Sequence, residues 1–311
     1  MKTIIAVVGP TASGKTRLGV ELARALGGEV VSADSMQVYR RMDIGTAKPT
    51  SAEQHGIPHH MLDVADPEEN YSVARYVQEA VPVVESILDR GKVPILVGGT
   101  GLYVDSLLSG RSFAAFNSEW RQKLQERRER EGIEPLLEEL QKIDPEAAER
   151  LHPSNEKRIL RALEVWYETG KTISEHNRET QALPPRYQAV RIGLNFTDRR
   201  HLWARIDQRV ENMVRQGLYD EIRALLESGV PLNCTAMQAI GYKEFVRALT
   251  TGGDLDEAKE IVKLRTRQYA KRQLTWFRRN ADTAWFLWDK TPDFAAALQF
   301  ATEKAALMGI H

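Results

Sequence analysis

Eight residues near the start of the chain, Gly9-Pro10-Thr11-Ala12-Ser13-Gly14-Lys15-Thr16, have the composition and spacing of a phosphate-binding loop. Glycine lets such a loop curl so that successive backbone N–H groups point inward, and the positive end of the following helix completes an anion cradle. Lys15 adds a point charge, and Thr16 a hydroxyl suited to Mg²⁺. The expected ligand carries a di- or triphosphate. Because the cradle reads the anion and not the group attached to it, a kinase, an NTPase and other phosphate-ester enzymes all stay open. A second candidate is Asp34, in Asp34-Ser35-Met36-Gln37-Val38-Tyr39-Arg40. At the carboxyl end of a strand it stands on the ligand edge of a parallel sheet, where a carboxylate accepts a proton or holds a metal. Asp also leaves strands as a turn cap, and position alone does not choose between the two. The run 95–97 leads into Gly98-Gly99-Thr100-Gly101, without the metal-holding carboxylate usual in P-loop kinases and NTPases. His59-His60, after Pro58, reads as a packed or hydrogen-bonded turn in preference to a metal site.

These groups need a scaffold. Short β-branched runs at 3–8, 29–33 and 93–97 alternate with helical patterns at 15–26 and 72–90, which indicates a parallel sheet with right-handed crossovers. Residues 117–170 are charged and helical, with Leu136, Leu137 and Leu140 at helical spacing and no strand signal. Leu183-Pro184-Pro185 ends this stretch, and a strand at 189–196 returns to the sheet. Helices follow at 198–216, 218–228, 236–249 and 255–279, then a strand at 283–288 and a last helix. The expected fold class is α/β: a P-loop NTPase-like parallel-sheet core, residues 1–112 and 187–311, interrupted by a mainly helical insertion domain, residues 113–186.

Composition narrows the function classes. Hydrophobic residues at 42% and charged residues at 28% describe an ordinary globular chain, which argues against a disordered or coiled-coil protein. A single cysteine, Cys234, excludes a disulfide framework and a Cys-based zinc cluster. The first apolar run, 4–8, is too short for a signal peptide or a membrane span, so a cytoplasmic protein with no membrane contact is expected. Lys plus Arg and Asp plus Glu balance at 43 each, which by itself argues against nucleic acid. The balance is uneven by position: 10 basic and 13 acidic groups in 1–110, but 19 and 15 in 191–311. Within 263–279 lie Lys263, Arg265, Arg267, Lys271, Arg272, Arg278 and Arg279 with no acidic residue, interleaved with Tyr269, Trp276 and Phe277. This segment reads as uncompensated cations for RNA phosphates and planar groups for unpaired bases, with Trp276 and Phe277 in the core.

Taken in order, the phosphate loop 9–16, the segment 34–40, Asp43-Ile44-Gly45-Thr46-Ala47-Lys48, His59-His60, Val97-Gly98-Gly99-Thr100-Gly101-Leu102-Tyr103, and residues 158–165 and 270–278 resemble the tRNA dimethylallyltransferase family. The resemblance spans nearly the whole chain. It implies transfer of a dimethylallyl group from dimethylallyl diphosphate to N6 of the adenosine 3′-adjacent to the anticodon, in tRNAs reading codons that begin with U. Diphosphate is then the leaving group and no ATP is needed. The resemblance implies that residues 9–16 (Gly9, Pro10, Thr11, Ala12, Ser13, Gly14, Lys15 and Thr16) bind diphosphate with Mg²⁺ at Thr16. It makes Asp34 the general base, places Thr100 near the adenine and the diphosphate, and makes Arg209 a phosphate partner. Contact with the tRNA anticodon stem-loop is implied for Asp34, Ser35, Met36, Gln37, Thr100, Arg121, Arg158, Arg161, Lys271 and Arg272. A monomer is expected. The rival readings are a small-molecule P-loop kinase, a prenyltransferase acting on AMP, and a nonenzymatic RNA-binding protein that keeps a vestigial loop.

Overall fold

A computed structural model of the protein describes residues 2–110 and 118–310. The chain divides into two compact units, Met1–Leu108 with Arg186–His311, and Ser109–Pro185. The expected 112/113 boundary lies outside the described residues.

The larger unit is built on one six-stranded sheet. Its first part contains β1 (Thr3–Val8), α1 (Lys15–Ala25), β2 (Glu29–Ser32), α2 (Ser51–Gln54), β3 (His59–His60), α3 (Val73–Asp89), β4 (Pro94–Gly98) and α4 (Gly101–Ser109). The smaller unit holds α5 (Ser118–Glu131), α6 (Glu134–Ile143), α7 (Pro145–Glu149), α8 (Glu156–Thr169) and α9 (Ile173–Ala182). The larger unit resumes with β5 (Gln188–Phe196), α10 (Arg199–Arg215), α11 (Leu218–Glu227), α12 (Tyr242–Thr251), α13 (Leu255–Phe277), β6 (Ala284–Trp288) and α14 (Phe294–Ala306). The strand order is β3-β2-β4-β1-β5-β6, and every pairing is parallel. β1 lies inside the sheet, with Val8 opposite Gly98 on one side and Gly193 on the other. Both of its faces are covered, so residues 4–8 are fully buried and read as a continuous apolar run. Each such side chain contributes roughly 1.5–3 kcal/mol by leaving water.

The helices follow their apolar spacing and their caps. α3 buries Tyr76, Val77, Ala80, Val84 and Ile87, and Ser72 caps it by accepting from Arg75 N–H. α10 starts at the Asp198 cap and buries Leu202, Ile206 and Val210 at intervals of four, which leaves Arg205 and Arg209 on an adjoining face. In the smaller unit, Leu136 and Leu140 of α6 pack with Leu124, Ile159 and Leu163. Among the described residues, no helix is long and apolar enough to cross a membrane.

Two expectations need correction. The continuous helix expected at 236–249 is a short 3-10 turn, Ala236–Gln238, followed by α12. Ala239 is extended and Gly241 has φ +100°, so the helical backbone is interrupted between them. His59 and His60 form an edge strand against Val30 and Val31, where a turn was expected. Their side chains are hydrogen-bonded: His59 Nδ1 lies 2.8 Å from Ile57 O, and His60 Nε2 lies 2.7 Å from Glu29 Oε2. Helices α2 and α9 were not anticipated, although each begins with a capping box, Thr50 with Glu53 and Thr172 with Glu175, that the sequence spells out.

Candidate active site

The loop between β1 and α1 turns its carbonyls toward protein. Lys15 Nζ donates to Pro10 O at 2.6 Å, Arg205 Nε of α10 to Ala12 O at 3.0 Å, and the Trp288 indole N–H of β6 to Ser13 O at 2.8 Å. Gly14 caps α1 without a side chain, so the first amides of that helix have no intrahelical partner. Residues 11–17 line a cavity of about 850 Å³. Its other walls are Asp34 and Gln37, the loop 43–50, Arg205 and Arg209 with neighbouring residues of α10, and Tyr269 and Gln273 of α13. This volume lies in the range of small-molecule sites.

The electrostatics favour an anion. Burial, reinforced by the charge of Arg209, pushes the Lys15 pKa down to about 7, with Asp34 opposing the shift. Arg209 Nη1 donates to Thr11 Oγ1 at 3.3 Å. Burial and the nearby Arg205 lower its pKa while Glu53 and Asp34 oppose, and a guanidinium stays charged at neutral pH throughout. Two crowded cations at the mouth of a helix N-terminus are relieved by an anionic ligand.

Asp34 caps the turn, and its place on the cavity wall leaves the chemical reading open. Oδ1 caps the turn, accepting from Met36 N–H at 2.9 Å and Gln37 N–H at 3.4 Å. Oδ2 has no hydrogen-bond donor among the described residues, and the side chain lines the cavity. Two glycines at the end of β4 and just after it allow close approach, Gly98 to the end of β2 and Gly99 to α13. A Cβ on Gly98 would lie 2.2 Å from Ala33 O, and one on Gly99 would lie 2.3 Å from Gln273 Nε2. Thr100 Oγ1 accepts from Ser35 N–H at 3.0 Å, so it fixes the segment after Asp34. Thr100, Ser35 and Met36 stand beside the cavity wall, whereas Asp34 and Gln37 are on it. The Tyr269 hydroxyl is pushed up to about 12 by burial and the charge of Asp34.

The wall at 43–48 is held from outside. Glu221 accepts from the N–H groups of Asp43, Ile44 and Gly45 at 2.8, 2.8 and 3.1 Å and from the Tyr242 hydroxyl at 2.6 Å. Gln37 Nε2 donates to Ala47 O at 3.1 Å. Among the described residues, no group of three or more His, Cys, Asp or Glu is arranged to hold a metal ion. Thr16 and Asp34 nevertheless offer hard oxygen donors to one cavity, which fits Mg²⁺ when phosphate oxygens and water complete its shell.

Comparison with known proteins decides the family. The IPP transferase family model matches residues 37–280. The chain is 47% identical over 289 residues to a tRNA dimethylallyltransferase of Thermoanaerobacter sp. (strain X514), covering 92% of each chain. It is 47% identical over 285 residues to one of Bacillus cytotoxicus, covering 91% of this chain and 89% of that one. A solved tRNA isopentenylpyrophosphate transferase from Bacillus halodurans superposes with TM-score 0.73 at 40% identity, covering 99% of this chain and all of the other. A eukaryotic dimethylallyltransferase acting on tRNA superposes with TM-score 0.85 at 32% identity, covering 100% of this chain and 81% of that one. The chain belongs to the tRNA dimethylallyltransferase family.

In a dimethylallyltransferase the cations outside the cavity matter as well, and here one expectation is corrected. The cations of 263–279 are not all uncompensated: Lys263 pairs with Glu211 at 2.5 Å and Glu260 at 2.6 Å, and Arg267 pairs with Asp207. Two of those acids, Asp207 and Glu211, come from α10, which a count within the segment does not see. Lys271, Arg272, Arg278 and Arg279 are exposed and form no ion pair among the described residues. Phe277 is buried, whereas Trp276 is half-buried and donates its indole N–H to Asp105 Oδ2 at 2.7 Å. In the smaller unit Arg121 and Arg158 are exposed on α5 and α8, and Arg161 pairs with Glu164 at 2.6 Å.

Sequence reasoning missed Arg205, Gln273, Trp288 and Glu221, and it read Tyr269 as a stacking group for RNA without placing it on the cavity wall. Arg205 with Arg209, and Tyr269 with Gln273, are each spaced i,i+4, so polar residues recurring on one helical face were the signal available. Nothing local marks Trp288 or Glu221.

Proposed function

We propose that the protein transfers the dimethylallyl group of dimethylallyl diphosphate to N6 of the adenosine 3′-adjacent to the anticodon, in tRNAs reading U-starting codons. The observation that carries this reading is a single cavity in which a carboxylate with one unbonded oxygen, Asp34, shares the walls with an anion cradle and two crowded cations. A flipped-out base and the diphosphate ester can meet there, because the amine is inaccessible within a base stack.

The exocyclic amine of adenine is a poor nucleophile, so it needs both positioning and a proton acceptor. As the nitrogen lone pair attacks C1 of the allyl group, the C1–O bond breaks and its electrons leave with diphosphate. The N6 proton passes to the Asp34 carboxylate, whose other oxygen is fixed by the Met36 and Gln37 amides. The α1 amides, Lys15 and Arg209 stabilise the charge that grows on the leaving group. Thr16 and the diphosphate oxygens would hold Mg²⁺, which supplies further neutralisation of that charge. Lys271 and Arg272 on α13, together with Arg121, Arg158 and Arg161 of the smaller unit, supply phosphate contacts to the anticodon stem-loop.

Incubation with labelled dimethylallyl diphosphate, Mg²⁺ and unmodified tRNA, against AMP or ATP, tests the proposal. Label should appear in tRNA alone. Label in AMP, consumption of ATP, or binding of tRNA without transfer would each replace the reading.

A further inference from the structure

We propose that Gln273 is a positioning residue that holds the diphosphate cradle and the loop after β4 in register with the basic helix α13. The inference rests on the function proposed above. Gln273 is 5% exposed on the inner face of α13. Its Oε1 accepts from Thr11 N–H in the cradle at 2.8 Å, and its Nε2 donates to Gly99 O at 2.9 Å. One side chain therefore joins the loops after β1 and β4, from the helix that presents Lys271 and Arg272 to solvent. The two loops carry what the reaction must align. Thr11 Oγ1 accepts from Arg209, and Thr100, next to Gly99, fixes the backbone after Asp34. Tyr269, one turn earlier on α13, lines the cavity beside them.

The geometry demands an amide, because one end must accept and the other must donate. Methionine fills the volume but leaves Thr11 N–H, at the cavity wall, and the buried Gly99 O without their partner. An ionised glutamate still accepts from Thr11 but turns an acceptor toward Gly99 O. A protonated glutamate restores both bonds, with its O–H donating to Gly99 O. Burial raises the pKa of such a carboxyl. Lys15, Arg209, Asp34 and Tyr269, the titratable groups on the facing elements, are common to wild type and variants, so activity relative to wild type at each pH isolates residue 273.

The test is steady-state transfer to unmodified tRNA by wild type, Gln273→Met and Gln273→Glu, with thermal unfolding measured in parallel. Misalignment of about 1 Å is enough for a 10²-fold loss. Gln273→Met should therefore lose kcat by about 10- to 10²-fold, with the KM for tRNA changed by less than about threefold. Gln273→Glu should be impaired at about pH 8 and approach wild type as the pH falls toward about 5.5. Wild-type kcat in Gln273→Met, or a pH-independent ratio for Gln273→Glu, overturns the inference. If Gln273→Met fails to fold, the pH dependence of Gln273→Glu decides alone. Absence of transfer by the wild type instead refutes the functional reading on which the inference rests.

Discussion

Binding of inorganic diphosphate should draw a proton onto Lys15. In the free protein burial and Arg209 hold the Lys15 pKa at about 7, against 10.5 in a solvated lysine. At pH 8 such an amine is neutral in about nine molecules of ten, and at pH 6 in about one of ten. Phosphate oxygens against Nζ favour the ammonium, so binding at pH 8 takes up about 0.9 proton at this residue and at pH 6 only about 0.1. The contribution of this residue to affinity accordingly falls by about tenfold, or 1.4 kcal/mol, for each pH unit above 7, beside whatever the ionisation of diphosphate adds. The sign for folding is the reverse of that for a salt-bridged lysine. The folded state binds fewer protons than the unfolded chain between about pH 7 and 10.5, so this residue makes stability rise with pH across that window. Diphosphate should cancel that slope. The assay is titration calorimetry in two buffers of different ionisation enthalpy, on wild type and Lys15→Arg. Arginine stays charged, and the ionisation of diphosphate itself is common to both proteins, so the difference in proton uptake reports Lys15. Arg209→Gln removes the like charge and should reduce the uptake at pH 8. Equal uptake by wild type and Lys15→Arg would refute the reasoning.

Asp34→Ala should lower turnover by about 10² to 10⁴ with diphosphate binding retained; matched losses in both would indicate a metal-holding or structural role. Trp288→Phe leaves Ser13 O without the indole donor, which should cost about 1–3 kcal/mol in denaturant unfolding and weaken diphosphate binding; unchanged affinity would show that the bond does not brace the cradle. Glu29 is 3% exposed. Burial alone would raise its pKa, but hydrogen bonds from Lys92, His60 and Arg90 outweigh it and hold the carboxyl at about 2. This depressed acid stabilises the fold above about pH 4.5 by roughly 3 kcal/mol, and the contribution should vanish as the pH falls toward 2; an acid unfolding profile unchanged in Glu29→Gln would contradict it. Replacing Lys271 and Arg272 by alanine should reduce the salt dependence of tRNA binding by about one unit of slope per cation. Replacing the paired Lys263 and Arg267 should mainly lower stability, and an equal effect on slope would return them to the tRNA surface.

Much of the site is legible because its chemistry is local. Residues 9–16 are consecutive, and strand, loop and helix adjoin in sequence, so spacing alone points to the loop that lines the cavity. Asp34 is legible as a carboxylate at a strand end, but only the structure shows that one oxygen caps the turn while the side chain also lines the cavity. The basic segment misled for a related reason. Its charge was counted along α13, while Asp207 and Glu211, which neutralise Lys263 and Arg267, stand on α10.

The chain's own order of residues determined the parallel sheet, the phosphate loop and the family, since these depend on periodicity and on motifs whose members are neighbours in sequence. Tertiary structure alone decided what surrounds the loop. Trp288 reaches Ser13 across 275 residues and Gln273 reaches Thr11 across 262. A buried carbonyl or amide can be satisfied by any correctly placed partner wherever it lies in the chain, so no local pattern records which residue does so.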